Sequence, residues 1–390
     1  MIIISYDAVG DIEFETLKEY PTFRDLAEKS AIYRDVPSLF VSNTYPVHTS
    51  IVTGLRPEHH GLISNTEAFP YKNPIWNSSE KNIKAKTLWQ AAFEKGIKTA
   101  AVLWPVTAFS KTIDYNIPEV LAPPGKNQLL YSMSAGSKRL QLKMFMRHKK
   151  LLDGTKQPNL DNFAAACMAD ILKEYNPGLA FIHLTAFDNF CHHNGTGVRG
   201  KKNPALETAY KALDENLNAI LKAAGDEREI IIFSDHYQIN VHTIVDPNRE
   251  LLKSELILHD GKSYAPGKYN CFFENCGGSA FFHKGSLSAE NTDIIRNNLK
   301  NSEGFRRFLE PAEMQESGYG HASFGFCAMP GYCYGLEQRG EKANHGYPSD
   351  MKDYNVFYMI KSSRVKSGSH KKGSLLNIAP FIAESLGLNL

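Results

Sequence analysis

The chain begins with MIIISYD (Met1–Asp7), a run of mostly apolar residues that ends at a carboxylate. Three further runs are also apolar and end where polar residues begin: Thr99–Trp104, Leu179–Thr185 and Glu229–Ser234. Runs that are apolar on both faces are typical of parallel strands covered by helices on both sides. The first stretch therefore predicts a buried strand with Asp7 at its carboxyl end.

Helical patterns lie between these runs. Thr87 can cap a helix over Leu88–Lys95, and Gly96 then follows its last turn. A second helix is predicted over Asn162–Tyr175, and the Asn-Pro pair at 203–204 opens a third in the favoured cap-then-proline order. The alternation predicts an α/β fold of three layers (α/β/α) with a mainly parallel sheet. Ligands of such sheets bind beyond the carboxyl ends of the strands.

Carboxylate and imidazole side chains follow several of these strands. Asp188 and His192 are four residues apart, so one helical turn or a tight loop can place both on one metal; this spacing favours His192 over His193. Asp235 and His236 can share a metal only if the preceding strand ends there. A set without thiolates suits zinc, and manganese also fits. The candidate ligands are Asp7, Asp188, His192, Asp235, His236 and His345.

Each of these residues also has a simpler explanation when it is taken alone. A carboxylate at a strand end is often a turn former or a helix cap, and a loop histidine is more often solvated than bound to a metal. His48, His59 and His60 are assigned this simpler explanation. Only the combination of several candidate ligands points to a metal centre.

A possible nucleophile lies in the segment TYPVHTSIVTG (Thr44–Gly54). The segment is typical of a helix that begins just after Thr44, and Pro46 suits its first turn. Thr44 is then near the N-cap, where most threonines have no chemical role. The alternative is a nucleophilic hydroxyl, because a helix N-terminus offers N–H groups and a positive dipole to a phosphate.

Composition and charge exclude several classes of protein. The length of 390 residues fits one large α/β domain with an insertion, and a net charge of +2 does not favour nucleic acid as the main partner. The sequence contains no run of about 18 apolar residues, so we expect no transmembrane helix. The N-terminus lacks the pattern of a signal peptide, and six cysteines predict buried reduced thiols in a cytoplasmic protein.

Two stretches fit the strand–helix alternation less well. Residues 121–155 contain the basic segment Lys138–Lys150 and predict a cap insertion, whereas residues 246–335, rich in Gly, Phe and Tyr, predict an inserted α+β subdomain. Residues 1–390 are otherwise predicted to form a single domain. A solvated helix face explains the basic segment best, and a patch for a membrane surface or nucleic acid is the alternative.

Together these motifs resemble the type I phosphodiesterase/nucleotide pyrophosphatase branch of the alkaline phosphatase superfamily. Its specific signals are Thr-(aromatic)-Pro, Ile-Val-Thr-Gly and Pro-Glu-x-His-Gly, together with the order of the ligands. The resemblance covers nearly the whole chain. It is carried by Asp7, Thr44–Gly61, Trp104-Pro105, Asp188–His192, Ser234–His236, Cys276–Ala280, His345–Tyr347 and Ile378–Ala383.

The resemblance implies an alkaline phosphatase-like core with two zinc ions. The first ion would be held by Asp188, His192 and His345. The second would be held by Asp7, Thr44, Asp235 and His236. Thr44 would attack phosphorus, and Asn65 would donate to a non-bridging phosphate oxygen.

The function implied is hydrolysis of a small-molecule phosphodiester or pyrophosphate, such as a nucleotide, through a phospho-threonine intermediate. Tyr45 and Trp104 are predicted to line the substrate pocket. The sequence departs from the family where Tyr45 replaces the common phenylalanine, Tyr237 the usual glycine, and residues 348–349 the usual Asp-Asn pair. Two alternatives share the fold, a phosphonate hydrolase and a phosphomonoesterase. A non-catalytic metal-binding homologue is disfavoured, because the nucleophile and all the ligands are present.

Overall fold

A computed structural model describes residues 1–67, 75–254, 257–259, 264–335, 340–370 and 372–390. Its strands, in chain order, are β1 (Ile2–Tyr6), β2 (Ala31–Val36), β3 (Thr99–Val102), β4 (Tyr115–Ile117), β5 (Leu179–Leu184), β6 (Ile230–Phe233), β7 (Ile239–Val245), β8 (Ile257–His259), β9 (Tyr264–Tyr269), β10 (Phe272–Asn275), β11 (Ser279–His283), β12 (Phe305–Phe308), β13 (Phe324–Ala328), β14 (Gly331–Tyr334), β15 (Ala343–Asn344), β16 (Val356–Lys361) and β17 (Gly368–His370).

The α-helices alternate with these strands through most of the chain. In chain order they are α1 (Phe14–Leu17), α2 (Pro21–Glu28), α3 (Thr44–Thr53), α4 (Pro57–His60), α5 (Leu88–Glu94), α6 (Gln128–Ala135), α7 (Lys138–His148), α8 (Asn159–Tyr175), α9 (Ala186–Asn194), α10 (Glu207–Ala224), α11 (Asn248–Lys253), α12 (Ala289–Leu299), α13 (Pro311–Glu316) and α14 (Ile378–Leu386).

The main sheet has eight strands in the order β17-β2-β16-β6-β1-β5-β3-β4. The strands from β6 to β4 run parallel to one another, and β16 runs antiparallel to both β6 and β2. The four apolar runs form β1, β3, β5 and β6, which confirms the mainly parallel sheet. The strand that begins the chain lies between β5 and β6, in the interior of the sheet.

The sheet divides the core into two layers. Ile2, Ile4 and Tyr6 of β1 belong to one apolar cluster, which they share with residues of α2, α8 and α10. Ile3 points to the opposite face and shares a second cluster with residues of α3, α5 and α14. Burying one such side chain stabilises the fold by roughly 1.5–3 kcal/mol. The three-layer α/β/α architecture predicted from the sequence is confirmed.

The predicted helices occur with small differences at their ends. Thr87 caps α5 in a capping box with Gln90. α8 begins at Asn159 rather than Asn162, with Pro158 at its N-cap. The Asn-Pro pair at 203–204 opens a short 3₁₀ turn that continues into α10.

Smaller sheets lie in the second half of the chain. One has the order β10-β11-β13-β12, another β14-β7-β15, and β8 pairs with β9. The first lies within the range 246–335, and α6 and α7 lie within 121–155. The division of the chain into a core, a cap insertion and an α+β subdomain stays a prediction.

The basic segment is largely the helix α7, and its charges are partly neutralised. Lys143 and Arg147 form ion pairs with Glu174 of the neighbouring helix α8. Arg147 and His148 also contact Asp170, at 3.0 and 2.9 Å. These pairs weigh against an extended positive patch for nucleic acid.

Two expectations from the composition concern the cysteines and the membrane. All six cysteines belong to the described residues, where each is buried and none forms a disulfide. Across the described ranges, every helix is too short or too polar to cross a membrane.

Candidate metal centre

The candidate ligands gather at the carboxyl ends of three neighbouring strands. Asp7 follows β1 directly, and α9 continues from β5 within two residues. β6 ends at Phe233, and Ser234 turns the chain by accepting from the amide of Val9 at 2.9 Å and donating to the carbonyl of His236. Because the strand has ended, Asp235 and His236 can face the same point.

One group of ligand atoms comes from Asp188, His192 and His345. Their ligand atoms all lie within 4.8 Å of one another. Asp188 and His192 lie one turn apart on α9, with the Asp188 carboxylate 3.4 Å from His192 Nε2. His193 is exposed and bonds the carbonyl of Asn189. The structure therefore places His192, and not His193, beside Asp188.

Hydrogen bonds orient the two histidines of this group. His192 Nδ1 bonds the carbonyl of Ala343 at 3.0 Å, and His345 Nδ1 bonds Asn43 Oδ1 at 2.8 Å. Both rings therefore have Nε2 as the nitrogen available to a metal. Partners of this kind fix ring orientation and raise metal affinity.

A second group surrounds His236 Nε2. This nitrogen lies 3.4 Å from Asp7 Oδ1, 3.3 Å from Asp235 Oδ2 and 3.2 Å from Thr44 Oγ1. Asp188 also has a ligand atom within 4.8 Å of those of Asp7 and His236. Asp188 thus belongs to both groups, whereas the prediction assigned it to the first alone.

Buried atoms of the second group lack hydrogen-bond partners. Within the described part of the chain this holds for Asp7 Oδ1 and Asp235 Oδ2. Burial raises the pKa of Asp7 to about 7, with the negative charge of Asp188 adding to the effect. Burial and the charge of Asp7 also hold the pKa of Asp235 well above its usual value. A bound cation would offset this repulsion, so the donor set fits a divalent metal.

The histidines are affected differently by the same surroundings. Burial lowers the pKa of His345 to about 4, which keeps its imidazole neutral and able to bind a metal. Burial also lowers the pKa of His236, and the nearby His345 lowers this pKa further. Burial opposes the charge of His192, yet Asp188 raises its pKa to about 9.

Thr44 is the first residue of α3, and Asn43 occupies the N-cap. The prediction that the helix begins just after Thr44 was therefore wrong by one position. Asn43 makes no side-chain cap bond, because its Oδ1 contacts His345. Asn65 Oδ1 accepts from the amide of Tyr45 at 2.8 Å, so the Asn65 side chain lies at the start of the same helix.

Two glycines hold the loop that carries His345. Gly346 has a φ of +84°, and a Cβ there would lie 1.7 Å from the carbonyl oxygen of Cys276. Gly278 packs against the Tyr347 ring, where a Cβ would approach within 2.2 Å, and its amide donates to the His345 carbonyl. The CGGSA motif at 276–280 thus provides the close backbone contact that fixes the His345 loop.

A cavity of about 1260 Å³ opens over the ligands. Thr44, Asn65 and Asp188 lie on its wall. Trp104 is not among the residues that line this cavity: it is fully buried and packs against Phe181.

Trp76 is one of several aromatic residues on the cavity wall, and the sequence did not single it out. Tyr45 is buried behind it, with ring centroids 5.3 Å apart. Tyr45 does not line the cavity, and its contact with substrate stays a prediction. Trp76 was missed because it lies in a polar, irregular stretch without strand or helix periodicity.

Buried polar residues beneath the ligands were also missed. His48 and His60 are buried, contrary to the solvated explanation, whereas His59 is exposed. His48 Nε2 bonds Ser5 Oγ at 2.8 Å. His183 lies on β5 beside Asp7, with Nε2 3.1 Å from Asp7 Oδ2.

The fold and the ligand geometry together define an alkaline phosphatase-like α/β/α protein with a candidate centre for divalent metals. A family model for type I phosphodiesterase / nucleotide pyrophosphatase matches residues 1–302. The chain belongs to this family.

Curated relatives match over a limited length. Human ectonucleotide pyrophosphatase/phosphodiesterase family member 5 is 27% identical over 116 residues, 27% of this chain and 24% of that protein. Bis(5'-adenosyl)-triphosphatase enpp4 of Xenopus laevis is 23% identical over 109 residues, again 27% of this chain and 24% of the relative. The match thus spans about a quarter of the length of these relatives.

Solved structures resemble the chain over nearly its full length. Murine ENPP5, as an inactive threonine-to-alanine variant in complex with AMP, has a TM-score of 0.70 at 15% identity and covers 100% of this chain and 95% of its own. Phosphonoacetate hydrolase from Sinorhizobium meliloti 1021, in complex with phosphonoacetate, has a TM-score of 0.63 at 13% identity, covering 98% and 94%. At these identities the likeness establishes the fold.

Proposed function

We propose that the protein is a metal-dependent hydrolase of phosphodiester or phosphoanhydride bonds, with Thr44 as nucleophile and two zinc ions as cofactors. The observation that carries the proposal is the convergence of Thr44, Asp7 and Asp235 on His236 Nε2, next to the Asp188 group. Family membership supports the same chemistry.

Each group of side chains would hold one ion. Asp188, His192 and His345 form one set; Asp7, Asp235, His236 and the Thr44 hydroxyl form the other. When bound, two divalent cations stabilise both the attacking and the leaving oxygen of an in-line displacement. The oxygen and imidazole donors suit zinc, and manganese would also be accepted.

Thr44 supplies the attacking oxygen. After its hydroxyl loses a proton to solvent, Oγ1 forms a bond to phosphorus while the bond to the leaving oxygen breaks. The leaving oxygen takes a proton from water. A second water then breaks the phosphorus–Oγ1 bond, which releases the phosphate product and restores the threonine.

Asn65 and the start of α3 orient the phosphate. Asn65 Oδ1 already accepts from the Tyr45 amide, which turns the side-chain N–H₂ group toward a different partner. Because Asn65 lines the cavity with Thr44, this group donates to a non-bridging phosphate oxygen in the proposal. The Tyr45 amide is occupied, so the amide of Thr44 is the helix donor for the same phosphate.

A nucleotide is the proposed kind of substrate. Two observations support it: the fold neighbour ENPP5 was solved with AMP, and a curated relative is named for hydrolysis of a bis(5'-adenosyl) triphosphate. Trp76 on the cavity wall offers an indole face to a base.

We also propose that the protein works in a reducing compartment. All six cysteines are buried and unpaired. Burial raises the pKa of the Cys191 and Cys276 thiols, which keeps them protonated and unreactive.

Phosphonate hydrolysis is the second candidate, because the phosphonoacetate hydrolase shares the fold at a TM-score of 0.63. The two functions differ in the bond that breaks, a P–O bond or a P–C bond. Assays of the zinc-loaded protein on bis(4-nitrophenyl) phosphate, 4-nitrophenyl phosphate, phosphonoacetate and diadenosine triphosphate separate them. We expect the highest kcat/KM on the diester or the dinucleotide.

Turnover limited to phosphonoacetate would replace the proposal with the second candidate. Turnover limited to the monoester would make the protein a phosphomonoesterase. A zinc-loaded, folded protein that hydrolyses none of the four would contradict the proposed function.

A further inference from the structure

His183 is a buried histidine that lies between two carboxylates. It belongs to β5, where it pairs in register with Ser5 of β1, so its side chain reaches the carboxyl end of β1. Its Nδ1 bonds Glu119 Oε2 at 2.8 Å. Its Nε2 lies 3.1 Å from Asp7 Oδ2, close enough for an ion pair without the alignment of a full hydrogen bond.

Glu119 connects this histidine to the nucleophile helix. Its other oxygen, Oε1, accepts from the hydroxyl of Tyr45 at 3.2 Å. Tyr45 follows Thr44 directly in α3. A continuous series of polar contacts therefore runs from Tyr45 through Glu119 and His183 to the carboxylate of Asp7.

The two carboxylate oxygens of Asp7 face different neighbours. Oδ2 faces His183, whereas Oδ1 lies 3.4 Å from His236 Nε2. Within the described residues Oδ1 has no hydrogen-bond partner although it is buried. Oδ1 is thus the oxygen that remains available to a metal.

We propose that His183 is a positioning residue for the metal centre: it holds Asp7 Oδ2 so that Oδ1 faces the ion, and Glu119 holds His183 in turn. Tyr45 supports the same arrangement, because its buried hydroxyl donates a hydrogen bond to Glu119, which is the second contact of that carboxylate. The inference rests on the proposed function only in that the centre binds metal. It does not depend on which phosphate ester is the substrate.

Zinc affinity tests the inference without any assay of turnover. Metal-free wild-type protein and the variant His183→Gln are titrated with Zn²⁺ against a competing chelator, and both binding steps are fitted. Loss of such a supporting partner costs about 10–100-fold in metal affinity. We expect that loss for one of the two ions in His183→Gln, with the other ion bound as in the wild type.

Two further variants make the test specific. His193→Gln is the matched control, because His193 is exposed and its one hydrogen bond among the described residues is to the Asn189 carbonyl on its own helix; it should bind both ions normally. Glu119→Gln keeps an acceptor for His183 but removes the charge, so a smaller loss of affinity is expected. This variant also serves if His183→Gln does not fold, as judged by circular dichroism.

Wild-type affinity for both ions in every folded variant would overturn the inference. An equal loss in His193→Gln would overturn it as well, because the effect would then not depend on Asp7. Wild-type protein that binds two ions but hydrolyses no phosphate ester would contradict the proposed function alone. Wild-type protein that binds no zinc would contradict both.

Discussion

Thr44 combines three properties of a nucleophile in one residue. It starts α3, its Oγ1 lies 3.2 Å from His236 Nε2, and it lines the cavity. Its side chain is almost buried, and it reaches solvent only at the cavity wall. Thr44 therefore lies both at the positive end of a helix dipole and beside the candidate metal ligands.

Replacing Thr44 by alanine removes the attacking oxygen while leaving six candidate ligands in place. We expect kcat on bis(4-nitrophenyl) phosphate to fall by about 10⁴-fold or more, as for other nucleophile deletions. Steady-state kinetics with zinc in excess measures this. The fold should be retained, because the lost hydroxyl makes only one hydrogen bond in the described structure.

Thr44→Ser is the matched variant, since it keeps a hydroxyl at the same position. It should retain far more activity than Thr44→Ala, and both should unfold at nearly the wild-type temperature. Near-wild-type turnover by Thr44→Ala would remove Thr44 from the nucleophile role.

Single residues were predictable where a motif or a strand end marked them. Asp7 and Asp235 follow apolar runs, and the structure brings both to His236. His183 had no such mark, because it lies inside an apolar run. Its hydrogen-bond partner Glu119 is also distant in the sequence. Trp104 follows a strand like the ligands do, but its side chain turns into the core.

Helix α9 carries Asp188 and His192, and a residue from outside the helix fixes its start. Asp161 of α8 accepts from the amides of Thr185 and Ala186 at 3.0 and 2.8 Å. Asp161 is fully buried, and its hydrogen bond to the Ala186 amide is buried as well. The carboxylate therefore acts as the cap of α9 and stabilises its dipole.

Asp161→Ala should destabilise α9 and with it the ligand pair that the helix carries. Leaving buried amides without an acceptor costs about 1–3 kcal/mol. We expect a lower midpoint in urea unfolding and weaker zinc binding, measured on the same protein. Asp161→Asn retains an acceptor oxygen and should lie between the alanine variant and the wild type. Unchanged unfolding and zinc affinity in Asp161→Ala would contradict this role.

At the scale of elements, the strands were more predictable than the helix starts. The strands β1, β3, β5 and β6 are apolar on both faces, a pattern that burial between two helix layers requires. Some helix starts depend on distant side chains that have no local signal, in contrast to the local capping box of α5. Asn43, at the N-cap of α3, contacts His345 instead of capping the helix, and α9 is capped by Asp161.

At the scale of the molecule, the metal centre depends on the whole fold. Its candidate ligands extend from Asp7 to His345, and they meet only because β1, β5 and β6 are neighbours in one sheet. The His345 loop is held by Gly278 and Gly346, far from that sheet in sequence. Family resemblance could predict this ligand order, but the sharing of Asp188 between the two groups follows only from the folded arrangement of the strands.

Metal binding should therefore stabilise the entire domain. An ion that binds the folded chain and not the unfolded chain raises stability by RT ln(1 + [L]/Kd), about 2.7 kcal/mol at a hundredfold excess over Kd. We expect the chelator-treated protein to unfold at a lower temperature and zinc to restore the wild-type value. Identical melting curves with and without zinc would contradict a metal centre built by the fold.

The most direct measurement combines metal content with turnover in one preparation. Protein stripped by a chelator is checked by elemental analysis, assayed on bis(4-nitrophenyl) phosphate, and assayed again after stepwise addition of zinc. If the protein is a two-metal phosphodiesterase, we expect no turnover without metal and full recovery at two zinc ions per chain. Full turnover by protein that elemental analysis shows to be metal-free would contradict it.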